Sequence, residues 1–272
     1  MTSKATLNSV TASDNLLGIN RPINVLLIGA GGTGSSMLSN LFQLHSTLVR
    51  LGSQGLNVTV FDSKRVTPSN LGRQSFWSER DVGHFKANLL VSRFNQFGGL
   101  NWKAHNCNFL PDTHDNNVRG CDLLITTIDT ASGRAEIGKS LESFNRPDSL
   151  WLDCGNSLET GQCIIGTMCG GDGYSTLPSP YQLYGAAWET VDESRISIPS
   201  CSTYEAIAKQ SFGVNQTLAT LAVSMILFPL LRKGKIDNFG FQFDLSTMET
   251  FPYPVSKDTW AIYGFFPSRN AA

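Results

Sequence analysis

The sequence predicts an α/β fold in which buried parallel strands alternate with helices. Three observations lead there. Ile23 to Ile28, INVLLI, is an almost wholly apolar run of the kind buried inside a parallel sheet. Gly29, Gly31 and Gly34 follow it with G-x-G-x-x-G spacing, and SSMLSNLFQLH behind them has helical composition. Asn57 to Asp62, NVTVFD, and Cys121 to Ile128, CDLLITTI, read as further strands, ending in Asp62 and just before Asp129. In a doubly wound sheet, ligands bind at the carboxyl edge of the strands. The two acids are therefore expected at one edge.

Met1 to Asn20 is rich in Ser, Thr and Asn and reads as an N-terminal arm or docking segment, with residues 21–272 as a single domain. The glycine turn after the first strand lets the backbone approach a ligand phosphate, and the helix behind it turns its free N–H groups and positive dipole end that way. Gly29, Gly31 and Gly34 are thus candidate nucleotide contacts, against the plainer reading of a tight strand-to-helix turn. The helix should end before the breaker cluster LGSQG, residues 51–55. Asp62 is placed to accept ribose hydroxyls, although its distance from Gly34 exceeds the usual ~20 residues. Capping the strand end is its simpler role.

Residues 63–85 form a long polar segment carrying Asn70, Arg73, Gln74 and Arg80; long ordered loops usually have a function. A helix over Lys86 to Phe97 follows, with Leu89, Leu90, Phe94 and Phe97 on one face. Lys86 falls in its first turn, where a cation opposes the helix dipole unless an anion compensates; a solvated lysine is the plainer alternative. Trp102 to Phe109, Ser149 to Cys154 and Gly161 to Met168 read as further strands, the last leading to another part of the sheet. Arg134 sits five residues after Asp129. An acid at this edge can hold magnesium, which takes only one or two protein carboxylates beside phosphate oxygens. Residues 168–200 read as an irregular crossover. A long helix from about Tyr204 to Leu231 follows, with a break near Phe212 and Gly213, and Cys201 lies just before it. A helix N-terminus lowers a thiol pKa; a buried inert cysteine is the alternative. Asn238 to Leu245 alternates Phe239, Phe241, Phe243 and Leu245 as a strand, and Trp260, Tyr263 and Phe265 are expected to pack on the body.

Composition excludes several classes. With 21 basic and 22 acidic residues, nothing favours nucleic acid or an anionic membrane. The longest apolar stretch, Leu218 to Leu231, contains Pro229 and falls short of the ~20 residues of a membrane span, so it reads as a core helix. The six cysteines form no C-x-x-C pair, and Cys107, Cys121, Cys154 and Cys163 fall in or beside strands and read as core. A reducing cytoplasm is the expected compartment.

From the glycine turn to Lys86 the chain resembles the ThiF/MoeB-type adenylyltransferases, relatives of ubiquitin-activating enzymes. The residues that carry the resemblance are Gly29, Gly31 and Gly34, Asp62, Ser69-Asn70-Leu71-Gly72-Arg73-Gln74, and Asp81-Val82-Gly83-His84-Phe85-Lys86-Ala87. Asp129 with Arg134, and Cys201 before a long helix, extend the match from Ile23 to Leu231. Within the family the chain most resembles a plasmid-associated branch, the ThiF-like proteins of PRTRC systems.

The resemblance implies a Rossmann-like, mostly parallel sheet flanked by helices, with a crossover loop and a C-terminal antiparallel strand region. It implies ATP over the glycine turn, Asp62 on the ribose, Arg73 and Lys86 on the phosphates, Asp129 on Mg2+, and Asn70 and Gln74 fixing the loop or helping bind phosphate. The implied reaction joins the C-terminal carboxylate of a ubiquitin-like or other small protein or peptide to AMP, with Cys201 able to take the activated group. A homodimer is implied too, with Arg21 a candidate to enter the neighbour's site. Three features depart from the pattern: Lys64 stands where many relatives have a second acid, the zinc-binding C-x-x-C pairs are missing, and residues 169–200 differ from the usual crossover. The alternative is a nucleotide-binding regulatory or partner subunit without transfer chemistry; a nicotinamide dehydrogenase ranks below both, because an Arg73/Lys86 pair suits a triphosphate.

Overall fold

The computed structural model describes residues 7–192 and 211–267. A short strand β1 (Val10–Thr11) and one helical turn α1 (Asp14–Leu17) come first. This part of the arm is docked, with Val10 and Leu16 buried in the core. The parallel units follow: β2 (Ile23–Ile28), α2 (Gly32–Arg50), β3 (Leu56–Phe61), α3 (Lys86–Gly98), β4 (Lys103–His105), α4 (Asp115–Gly120), β5 (Leu123–Thr126), α5 (Ala131–Leu141) and β6 (Leu150–Asn156). The strand expected over Trp102 to Phe109 is thus only three residues long. It pairs on one side alone, with β3, before the chain rises over the carboxyl edge.

The chain then turns antiparallel through β7 (Thr160–Thr167). Residues 168–200, expected to be irregular, contain a helix, α6 (Pro180–Thr190). Its start follows helix chemistry: Pro180 at the first helical position, and a reciprocal cap in which the Ser179 hydroxyl accepts the Gln182 N–H at 3.1 Å. The apolar helix α7 (Val214–Lys233) begins after Gly213, whose φ is +89°; the part of the expected helix from Tyr204 to residue 210 lies outside the described residues. It is wound as a π-helix over Ala222–Leu227, just ahead of Pro229. A proline removes one helical hydrogen bond, and the wider winding accommodates the loss. Its buried residues, Leu218, Leu227 and Leu230 among them, join the core as expected. The chain closes with β8 (Lys235–Ile236), β9 (Asn238–Asp244), β10 (Glu249–Pro254) and α8 (Lys257–Ile262). Trp260 of α8 is fully buried, and Tyr263 and Phe265 pack on the core.

The main sheet runs β10-β9-β7-β6-β5-β2-β3-β4, and β6 to β4 are parallel. Successive side chains of a strand face opposite sides. Val25, Leu27 and Ile125 accordingly pack with α2, α3 and α7, while Leu26, Ile28 and Trp151 pack with α4, α5 and α6. The chain goes from β2 to β3 on one side and returns to β5 on the other. That reversal opens a crevice at the carboxyl ends of β2 and β5.

Candidate active site

A cavity of about 730 Å³ occupies this crevice. The glycine turn forms its floor, and the three glycines do different work. Gly29 has φ +97°, a conformation that favours glycine. Gly34 is inside α2, where a Cβ would run into the Gly29 carbonyl; it sets the approach of helix to turn and does not line the cavity. Gly31 does line it, and a Cβ there would meet nothing within 4 Å. Among the described residues no side chain caps the start of α2, which leaves its first N–H groups for a ligand.

Asp62, at the end of β3, closes the turn from the side. Its Oδ2 accepts the Ala30 N–H at 2.6 Å and its Oδ1 accepts the Lys64 N–H at 2.7 Å. The strand-end capping role is therefore present, in a carboxylate that also lines the cavity.

The segment 63–85 is ordered by buried anchors. Val66 and Phe76 are buried, and Asp81 takes the Arg93 guanidinium at 2.6 Å and the Trp77 N–H at 2.9 Å. Burial alone would raise the Asp81 pKa, but Arg93 and the backbone donors outweigh it and leave the carboxyl below its ordinary range. Asn70 faces its own loop, where Oδ1 accepts the Thr67 N–H at 3.0 Å, and it does not line the cavity. Of its two expected roles, loop fixing is the one the geometry has. Arg73, Gln74 and Lys86 do line the cavity. Burial lowers the Arg73 pKa. Among the described residues the buried side-chain oxygen of Gln74 has no hydrogen-bond partner, a group that a polar ligand would satisfy. Lys86 begins α3 and is only 5% exposed. Burial lowers its pKa, Asp62 and Asp129 oppose that shift, and Lys64 and Arg73 add to it.

On the β5 side, Arg134 reaches the cavity from α5. Its Nε lies 3.1 Å from Asp153, and its Nη2 donates to the Cys154 carbonyl at 3.0 Å. Asp153 is buried, and that burial raises its pKa against the pull of Arg134. Sequence reasoning missed Asn156 and Asn215, which line the cavity and sit 3.2 and 2.9 Å from the Thr33 hydroxyl. Asn215 also lies where a Cβ on Gly32 would go. Neither has a spacing signal; they meet only because α7 packs against α2 and β6.

Cys107, expected in the core, is exposed at the cavity wall with its sulfur 3.7 Å from His114 Nε2, because β4 ends before it. Cys121, Cys154 and Cys163 are buried as expected. Cys201 and the start of the predicted helix at Tyr204 lie outside the described residues. Arg21 is held by both oxygens of Asp122 at 2.6 and 2.7 Å, ahead of β2 and β5 and so at the opposite edge from the glycine turn.

Asp129 is exposed, and its Oδ2 lies 3.5 Å from the Lys64 ammonium. Asp62 spends one lone pair of each oxygen on backbone N–H groups. Among the described residues no three His, Cys, Asp or Glu side chains cluster as a metal site. Magnesium is held through carboxylates aimed at it. As arranged here, Asp129 carries a lysine and each Asp62 oxygen a backbone N–H, so neither of these two acids is aimed at a magnesium ion; Glu136 is the third carboxylate of the cavity lining.

Comparison with known proteins agrees with the architecture. The chain is 31% identical over 125 residues to the NEDD8-activating enzyme E1 catalytic subunit of Dictyostelium discoideum, covering 45% of this chain and 26% of that protein. The Caenorhabditis elegans counterpart is 31% identical over 118 residues, covering 43% of this chain and 25% of its own length. The chain thus spans about a quarter of the curated relatives it matches. Among solved structures, selenomethionine PaaA superposes with a TM-score of 0.59 at 13% identity, over 89% of this chain and 65% of that one. E. coli MccB with ATP superposes with a TM-score of 0.58 at 13% identity, over 89% and 66%. At that identity the likeness is one of fold. The family model described as ThiF matches from residue 7 to residue 258, and the protein belongs to the ThiF family.

Proposed function

We propose that the chain is an ATP-dependent adenylyltransferase that activates the C-terminal carboxylate of a ubiquitin-like or other small protein or peptide as an acyl-adenylate. The observation that carries this reading is the grouping of Arg73, Lys86 and Arg134 around an open glycine turn at the switch point of the sheet. Such a set of cations suits a triphosphate. Family membership, the E1 relatives and the MccB fold with ATP support the same reading.

The chemistry asks little more of the protein than position and charge. A substrate carboxylate oxygen attacks the α-phosphorus, a new P–O bond forms, the bond to the β-phosphate oxygen breaks, and pyrophosphate leaves. No general base is needed, because the carboxylate is already the nucleophile. The turn and the first N–H groups of α2 hold the phosphates, and Asp62 takes the ribose. Arg73 and Lys86 offset charge that grows on the phosphates in the transition state. Lys86 suits this role because its ammonium is already desolvated and need not shed water when the phosphates arrive. No step of this reading passes through a metal held by Asp129. A second step passes the acyl group to the Cys201 thiolate with release of AMP, and the working unit is a homodimer; both rest on the family resemblance.

Pyrophosphate exchange tests the proposal. With the correct carboxylate partner, labelled pyrophosphate should enter ATP, and Lys86→Ala should abolish that exchange. ATP binding with no exchange across candidate partners would favour the alternative, a nucleotide-binding partner subunit without transfer chemistry.

A further inference from the structure

The Lys64–Asp129 pair crosses the crevice. Lys64 follows β3 and Asp129 follows β5, with β2 between them and its glycine turn in the gap. The ion pair therefore straddles the turn over which the phosphates would lie. The position of Lys64 is set by its backbone: its N–H is held by Asp62 Oδ1 at 2.7 Å, and its carbonyl accepts the Lys86 N–H at 3.1 Å. The first residue of α3 and the acid beside the glycine turn thus both anchor it. Its side chain remains 64% exposed, and so able to turn. Lys64, Asp129, Asp62, Arg73 and Lys86 all line the one cavity.

We infer that Lys64 is a tethered counter-ion for the triphosphate, occupying the role that a protein-held magnesium ion would otherwise have. The inference rests on the nucleotide reading of this cavity. In the free protein the ammonium pairs with Asp129; when a triphosphate enters, the ammonium exchanges Asp129 for phosphate oxygens. An exposed ion pair is worth little and is readily exchanged, whereas a charge-assisted contact to a phosphate is stronger. The phosphates then meet a tethered positive charge without an added metal, and Lys64 acts as a phosphate-binding residue.

The test is ATP binding measured by equilibrium dialysis, for each variant, in excess EDTA and in excess magnesium. The readout is the ratio of the two affinities within one variant, so differences in fold stability between variants cancel. For the unaltered protein the ratio should stay within about threefold, the scale of one exposed ion pair. Lys64→Met should weaken binding in EDTA by about tenfold or more and binding in magnesium by less, the cost of one charged contact. Lys64→Asp, which places a second acid beside Asp129, should bind ATP only when magnesium is present. A loss of more than about tenfold on adding EDTA to the unaltered protein would overturn the inference while leaving ATP as the ligand. An unchanged ratio in Lys64→Met would do the same. Failure of the unaltered protein to bind ATP in either condition would remove the nucleotide reading and this inference with it.

Discussion

The Asp62 carboxylate holds the Ala30 N–H at 2.6 Å, tying the end of β3 to the middle of the glycine turn that ends β2. One side chain thus shapes the turn and lines the cavity that the turn floors. Asp62→Ala should lower stability by about 1–3 kcal/mol, since two N–H groups lose a charged acceptor. It should also weaken ATP binding. Urea unfolding and calorimetry on the same preparation separate the two losses, and an unchanged unfolding midpoint would show that the turn does not depend on the clamp.

The glycines should divide by role. A Cβ on Gly34 meets the Gly29 carbonyl and lies 2.7 Å from the Thr127 hydroxyl, so Gly34→Ala should cost about 3 kcal/mol of stability through overpacking. A Cβ on Gly31 enters open space within the cavity. Gly31→Ala should change stability by less than about 1 kcal/mol. Its cost in ATP affinity should be about tenfold or more. Equal destabilisation by the two would contradict this division.

Lys86 should couple binding to protons. Burial holds its pKa below the ordinary lysine value in the free site, and bound phosphates favour the ammonium and raise it again. Between those two values, binding takes up a proton, so ATP affinity should fall as pH rises through the free-site value. The same shift means that the ammonium costs stability at lower pH and that this cost eases as pH rises from the lowered value toward that of ordinary lysine. Calorimetry in buffers of different ionisation enthalpy at alkaline pH measures the uptake; Lys86→Met should remove it.

The Arg134–Asp153 pair should behave as a buried ion pair. Asp153→Ala leaves the Arg134 guanidinium facing an emptied site and should cost about 3–5 kcal/mol. Replacing both residues with apolar ones should cost less than the single change. Denaturant unfolding of the three variants measures the coupling, and additive losses would show that the two charges do not depend on each other.

Cys201 is predicted to carry the activated group. Enzyme, ATP and the carboxylate partner should give a covalent species cleaved by thiol. Cys201→Ser should abolish that species and leave pyrophosphate exchange intact. A cleavable species in the Cys201→Ser protein would assign the transfer to another cysteine, and Cys107, exposed at the cavity wall, is the one to examine next.

Local chemistry along the chain determined much of this molecule. Ile23 to Ile28 could form little but a buried strand, Gly29 had to turn, and the helix from Lys86 and the helix start after Gly213 are written in residue type and spacing. Arg73 and Gln74 were legible as candidate site residues because a long polar segment carrying them is costly to keep ordered without a use, and Lys86 because a cation in the first turn of a helix opposes the dipole unless an anion is near. Other features depended on which distant segments meet. Asn156 and Asn215 join the cavity through contacts across 123 and 182 residues at Thr33, whereas the cap of Asn70 on its own loop and the packing of Gly34 against Gly29 are short-range contacts that residue type alone did not settle. The length of β4 was set by its place at the sheet edge, with one neighbour instead of two, and that exposed Cys107. The pairing of Lys64 with Asp129 was likewise decided by strand order, which brings the ends of β3 and β5 to either side of β2. Periodicity and propensity act over a few residues. The charge a cavity presents is fixed only when the sheet has chosen its neighbours.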